Sequence, residues 1–241
     1  MHQQLFRASR VNGEVQVEYR EILEKLKSQR NSRGVAGMAG YGMSVNNAFG
    51  VSIPDLRTMA KQIGKNHSLS KQLWSSGIRE ARIMASMIAD YRMITEQELE
   101  EWVSGLDSWE VCDQCCNNLI YKTSFAYQKA MEWSQRPEEF VKRAGFVLMA
   151  CLAVHDKGAD DIKFREFFPI IRNEAADERN LIKKSVNWAL RQIGKRNRTM
   201  NAEAIKLAAD LKQIESKPAR WIACDALREL RSGRIQRRLT D

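Results

Sequence analysis

Val141-Lys-Arg-Ala-Gly-Phe-Val-Leu148 opens on an apolar residue and a base and then becomes an apolar stripe. The same shape returns in Ile78-Arg-Glu-Ala-Arg-Ile-Met-Ala85, Ile182-Lys-Lys-Ser-Val-Asn-Trp-Ala189 and Ala219-Arg-Trp-Ile-Ala-Cys-Asp-Ala226. The four starts are 63, 41 and 37 residues apart, and the segment around Trp109 falls inside the widest gap. Between these landmarks apolar residues recur every three to four positions, the period of a helix with one buried face. With 44% hydrophobic residues, 29% charged residues and 4 prolines, the 241-residue chain reads as mainly helical, and a sheet-rich fold is not expected.

Self-similarity near 40 residues approximates the period of HEAT-like and armadillo-like repeats, in which paired helices stack and bury a continuous core. The expected fold is therefore all-α, a curved solenoid of such repeats with a concave basic cleft. One repeat domain is expected over 21–232, preceded by an extension at 1–20 and followed by a basic tail at 233–241. Punctuation agrees with helices: Thr95 and Glu98 form a capping box, Pro54 suits a helix start, and Gly194 sits where a helix ending in Arg191 should stop. In the extension, Val11-Asn-Gly-Glu-Val-Gln-Val17 carries a turn signal beside a short alternating run, which reads either as a small hairpin or as a frayed end.

The net charge is +9, from 39 Lys and Arg against 30 Asp and Glu. Residues 183–241 hold 15 bases and 6 acids, so the whole excess lies in the last quarter. Such asymmetry suits a face for phosphate backbones, or a surface that serves solubility alone. No apolar run is long enough for a membrane span and residues 1–20 lack the apolar core of a secretion signal, so a cytoplasmic location is expected; a monomer, near the nucleoid in a bacterium, is a separate expectation. The five cysteines read as reduced thiols in helices. Metal chemistry is not expected, because His2, His67 and His155 lie far apart and Cys112-Asp-Gln-Cys115 has no second pair. A covalent nucleophile is also unsupported, since there is no Gly-rich phosphate loop, nucleophile elbow or Ser/His/Asp grouping.

Candidate chemistry centres on Asp107-Ser-Trp-Glu-Val-Cys-Asp113, where Trp109 and Asp113 at i,i+4 share a helix face. Arg143 and Trp188 join them, Trp188 because Arg191, Lys195, Arg196 and Arg198 follow within ten residues. Aromatics interleaved with bases suit a nucleic-acid groove. Taken singly, each residue also has a plain structural reading: the tryptophans as repeat core, Asp113 as a counter-charge, Arg143 as an ion-pair partner.

Through Leu73-Trp-Ser-Ser-Gly-Ile-Arg-Glu-Ala-Arg82, Asp107–Gln114, Phe140–Phe146 and Val186–Asn197, the chain resembles the AlkD-like DNA alkylation repair proteins, the HEAT-like-repeat DNA glycosylases, from about Val35 to Leu230. The resemblance implies a cofactor-free enzyme that excises cationic alkylated purines, 3-methyladenine and 7-methylguanine, from duplex DNA. It carries the catalytic carboxylate to Asp113, the sugar-facing aromatics to Trp109 and Trp188, and a phosphate-facing base to Arg143, with Lys142 as the neighbour that could replace it. Tyr41 reads either as the counterpart of an aromatic near the family's DNA face or as a core residue, and Lys183, Lys184, Arg191, Lys195, Arg196 and Arg198 are the expected phosphate contacts. The alternatives are a relative that binds damaged or branched DNA without excision, and a repeat scaffold for protein partners.

Overall fold

The computed structural model describes residues 9–11, 14–16, 19–40, 45 and 47–239. The chain falls into two compact units, Met1–Leu119 and Ile120–Asp241, and the span read as one repeat domain runs through both.

The first unit opens with β1 (Ser9–Val11) and β2 (Glu14–Gln16), paired antiparallel with Arg10 opposite Val15. The pair falls in the stretch read either as a small hairpin or as a frayed end; Asn12 and Gly13, the expected turn, lie outside the described residues. The helices that follow are α1 (Tyr19–Ser28), α2 (Ser32–Gly40), α3 (Ile53–Ile63), α4 (His67–Ser75), α5 (Arg79–Ile88), α6 (Glu96–Ser104) and α7 (Trp109–Asn118). Local chemistry sets their starts. Ser52 caps α3 and Pro54 occupies its first turn, where a missing N–H costs nothing. Both halves of the α6 capping box are made: Glu98 N–H donates to Thr95 Oγ1 at 3.1 Å and Thr95 N–H to Glu98 Oε2 at 2.9 Å.

Helix α5 is the centre of this unit and packs on α3, α4 and α7. Its Ile83, Met84 and Ile88 are sealed, as is Glu80. A buried carboxylate must be satisfied. Glu80 accepts the N–H groups of Phe49 (3.0 Å) and Gly50 (2.8 Å) and pairs with Arg79 at 2.9 Å.

The second unit begins with a 3-10 turn at Ile120–Lys122 and continues through α8 (Ala126–Trp133), α9 (Glu139–His155), α10 (Asp161–Arg165), α11 (Phe167–Glu174), α12 (Asn180–Ile193), α13 (Arg198–Lys212), α14 (Lys217–Leu230) and α15 (Gly233–Gln236). Helix α9 is buried without interruption from Val141 to Ala153 and packs on α8 and α12. A Cβ at Gly145 would lie 2.3 Å from the Ser134 nitrogen, so only glycine lets α9 come this close to the end of α8. The basic C-terminal segment is anchored over its described part, with Ile235 and Leu239 buried and Gln236 donating to Leu230 O at 2.6 Å.

Polar rungs between successive repeats show the period directly. Arg79 reaches Glu110 31 residues on, and Asn118 reaches back 32 residues to Ser86. In the second unit the offset is 38, from Arg143 to Leu181, Asn187 to Asp225 and Arg191 to Glu229. The widest gap in the sequence pattern therefore holds one additional, shorter repeat, to which α7 belongs.

Candidate nucleic-acid interface

Helix α7 buries Val111, Cys112, Cys115 and Cys116 and leaves Trp109, Asp113, Gln114 and Asn117 half-buried. The face sharing Trp109 and Asp113 is thus turned away from the unit's core but is not fully open to water. Both side chains are engaged with neighbours. What aims this face is α5. Arg79 Nε donates to Glu110 Oε2 at 2.8 Å, while Arg82 donates to Gly105 O at 3.0 Å and pairs with Asp107 at 3.2 Å. The two arginines grip the loop before α7 and its first turn. The Arg82 guanidinium itself lies 5.2 Å from the Trp74 ring, which stacks on Trp102 with centroids 4.3 Å apart. Ser108 completes the arrangement by capping α7, accepting the Val111 N–H at 3.2 Å.

The cysteines beside Asp113 belong to the core. Burial pushes the Cys115 thiol up, which is the wrong direction for a nucleophile or metal ligand. Among the described residues no three His, Cys, Asp or Glu side chains are grouped to hold a metal ion. Nor, among them, is any helix long and apolar enough to cross a membrane.

A basic feature missed by the reading of net charge lies in the same unit. Arg57, Lys61 and Lys65 follow one another at i,i+4,i+8 and line a hollow of about 360 Å³ together with Met87 and with Asn118 from the last turn of α7. Lys65 Nζ donates to Met87 O (3.0 Å) and Ala89 O (2.8 Å), closing the end of α5. Arg57 and Lys61 are exposed and carry no ion pair among the described residues. The signal was the four-residue spacing of the bases, hidden because residues 1–182 sum to zero charge.

In the second unit the predicted contacts divide sharply. Trp188 is half-buried on α12, on a stripe with Lys184, Arg191 and Lys195. Arg191 pairs with Glu229 at 2.6 Å, however, and Lys195 pairs with the same carboxylate at 2.9 Å. Arg196 is a correction to the expected phosphate contacts. Its side chain is 5% exposed, its guanidinium donates to Ala153 O, Asp156 O and Ala159 O, and it lies 3.7 Å from the Phe164 ring. It closes the C-terminal end of α9 and cannot face a backbone phosphate. Lys142 is likewise buried and held by Glu174 and Asp177. Arg143 is 6% exposed and donates to Leu181 O at 2.8 Å. Lys183 stands over the Trp221 ring at 4.8 Å, whereas Lys184 and Arg198 are exposed. Tyr41 lies outside the described residues.

Comparison with known proteins fits this assembly of repeats. A solved structure described as a new family of proteins related to the HEAT-like repeat DNA glycosylases with affinity for branched DNA structures is similar over 88% of this chain and 95% of that one, with a TM-score of 0.74 and 17% identity. A designed armadillo repeat protein covers 88% of this chain and 94% of its own at 14% identity, but its TM-score of 0.35 is too low to argue from. No curated protein matches the sequence. The model of the DNA alkylation repair enzyme family matches residues 22–230. That span takes in α7 with its tryptophan and carboxylate, and the chain belongs to the DNA alkylation repair enzyme family.

Proposed function

We propose that this protein is a DNA glycosylase that releases cationic alkylated purines, 3-methyladenine and 7-methylguanine, from duplex DNA. The observation that carries the reading is the α7 face, where a tryptophan and a carboxylate stand one turn apart on a helix braced by Arg79 and Arg82, clear of the unit's core. A purine alkylated at N3 or N7 already bears positive charge and leaves without a general acid. The enzyme's task is then to stabilise the oxocarbenium-like sugar and to direct water to C1′. Asp113 does both by its charge, and Trp109 lies against the deoxyribose, contributing about 0.5–2 kcal/mol of cation–π attraction. In the second unit Lys184 and Arg198, which are exposed, hold the backbone, and Trp188 stands half-buried on the same helix as Lys184; Arg143, buried and donating to Leu181 O, is left out of the phosphate contacts that the resemblance implied. The DNA backbone also has a place in the first unit, along Arg57 and Lys61.

Release of 7-methylguanine from methylated duplex tests the reading. Asp113→Asn should cut release by about 10²–10³-fold with duplex binding retained, the size expected for losing one preorganised electrostatic group. Equal release by wild type and variant would sink it. A second reading, binding of branched DNA without excision, is favoured by the burial of Lys142 and Arg143 and by the described affinity of the similar structure. Tight binding of a four-way junction with no base released from any methylated substrate would decide for it.

A further inference from the structure

We propose that the outward face of α14 is a separate nucleic-acid contact, on which Trp221 stacks against an unpaired nucleobase while Lys217, Arg220 and Arg228 hold the flanking phosphates. None of these four belongs to the site on α7 or to the expected backbone contacts. The inference rests on the DNA-binding part of the proposed function and not on base excision.

Trp221 is 42% exposed, an unusual state for the largest apolar side chain, and among the described residues it is the one exposed tryptophan. Lys183 stands 4.8 Å over one face of its ring. The exposure that remains is therefore on the other face and the edge, open to a flat partner. Lys217, Arg220, Cys224, Arg228 and Arg231 are exposed on the same side of the helix, at spacings of three, four and seven residues. From Lys217 to Arg228 the row runs for about 16 Å at the α-helical rise. Beside it a hollow of about 430 Å³ is lined by Lys212, Arg228 and Arg231.

Of the acids of α14 only Asp225 meets this row, at Arg228, whose side chain stays 80% exposed. Asp225 accepts from Asn187 at 2.7 Å and pairs with Arg191 and Arg228, and Glu229 is bound by Arg191 and Lys195. Neither carboxylate is exposed. The face is thus positive with an aromatic plane inside it. A fully paired duplex buries its base faces in its own stack and could use only the bases of the row. An unpaired nucleotide offers both a phosphate and a π face, and base–aromatic stacking accepts any of the four bases.

The test compares binding of a blunt duplex and of the same duplex carrying a single-stranded overhang, for wild type, Trp221→Ala and Trp221→Phe. Trp221→Ala should weaken binding of the overhang substrate about tenfold and leave the blunt duplex unchanged, and Trp221→Phe should keep most of the preference. Because the ring is exposed, both variants should melt within a degree or two of wild type. An overhang preference untouched in Trp221→Ala, or a loss equal on both substrates, would overturn the proposal. So would displacement of the overhang by poly-glutamate at matched charge concentration, which would mean that the face reads charge alone. Asp113→Asn separates this reading from excision: overhang preference persists in that variant whether or not wild type releases a base.

Discussion

Trp109-Glu-Val-Cys-Asp113 in α7 and Trp221-Ile-Ala-Cys-Asp225 in α14 carry tryptophan, cysteine and aspartate at identical spacing, yet the two helices present them differently. In α7 the thiol is sealed and the tryptophan half-buried. In α14 the thiol and the tryptophan are exposed, and Ala219, Ile222, Ala223, Ala226 and Leu230 form the buried side. At 100° per residue the buried faces differ by roughly a third of a turn relative to the shared pattern. The carboxylates diverge as well. Asp225 is committed to Asn187, Arg191 and Arg228, whereas the α7 copy has two α5 arginines fixing its surroundings through Glu110, Gly105 and Asp107. Five residues of pattern do not make a site. The rotation of the helix against its neighbour and the charges on the preceding repeat decide what the pattern becomes.

The support under the α7 copy is where the largest effect is expected. Glu80 is the third residue of its repeat segment; the residues at that place in the other segments are Arg143, Lys184 and Trp221. It alone is a buried carboxylate, meeting two backbone N–H groups and Arg79. Glu80→Ala should cost about 3–5 kcal/mol, since it leaves two amides unmet and the half-buried Arg79 with Glu110 as its one remaining counter-charge among the described residues. Urea unfolding measures the loss, and amide exchange should quicken along α7. A cost below about 1 kcal/mol would mean that α5 does not hold the α7 copy in place.

Local features are legible in the sequence itself, although the contrast between the two copies is not. The α6 capping box and the start of α3 at Pro54 follow from side chains within one turn, and such signals survive folding because their partners are adjacent in the chain. The shared face of Trp109 and Asp113 follows from helical period in the same way. Gly194 caps α12, which runs two residues past the expected end at Arg191, and it does so for another reason. Its φ is −67°, and a Cβ there would lie 2.8 Å from Ala204 Cβ and 2.9 Å from the Leu230 methyls. The fate of the basic run was not legible. Arg191 meets Glu229 38 residues later and Arg196 meets Asp156 40 residues earlier, and periodicity within one helix is silent about register between repeats. For that reason the positive charge assigned to α12 is largely absorbed, and the outward bases stand on α14 and α3 instead.

The two aspartates give the next test. Asp225→Asn should lower stability by about 1 kcal/mol, because it removes the charge from two ion pairs and keeps an acceptor for Asn187. Base release should be unchanged in this variant, against the loss of about 10²–10³-fold expected from the same substitution at Asp113. Parallel single-turnover assays on methylated duplex separate them. If both variants lost release alike, the identical pattern would matter more than its setting, and the contrast between α7 and α14 would collapse.

The smallest effect concerns charge that α14 withholds from DNA. Burial alone would raise the Glu229 carboxyl, but Lys195 and Arg191 outweigh it and hold the group below its ordinary value of 4.5. A carboxylate lowered in the folded state adds stability above its unfolded value, and that contribution disappears as pH falls through the folded one. Glu229→Gln should therefore be less stable than wild type at pH 7, with the gap closing in acid. At neutral pH the same change frees Lys195 and leaves Arg191 with Asp225 alone, 3.5 Å away. Duplex affinity should rise, and the slope of log K against log salt should steepen by about one, the signature of one added phosphate contact. A slope identical to wild type would place the α12 stripe outside the DNA footprint, and the phosphate contacts of the second unit would then reduce to exposed bases such as Lys184, Arg198 and those of α14.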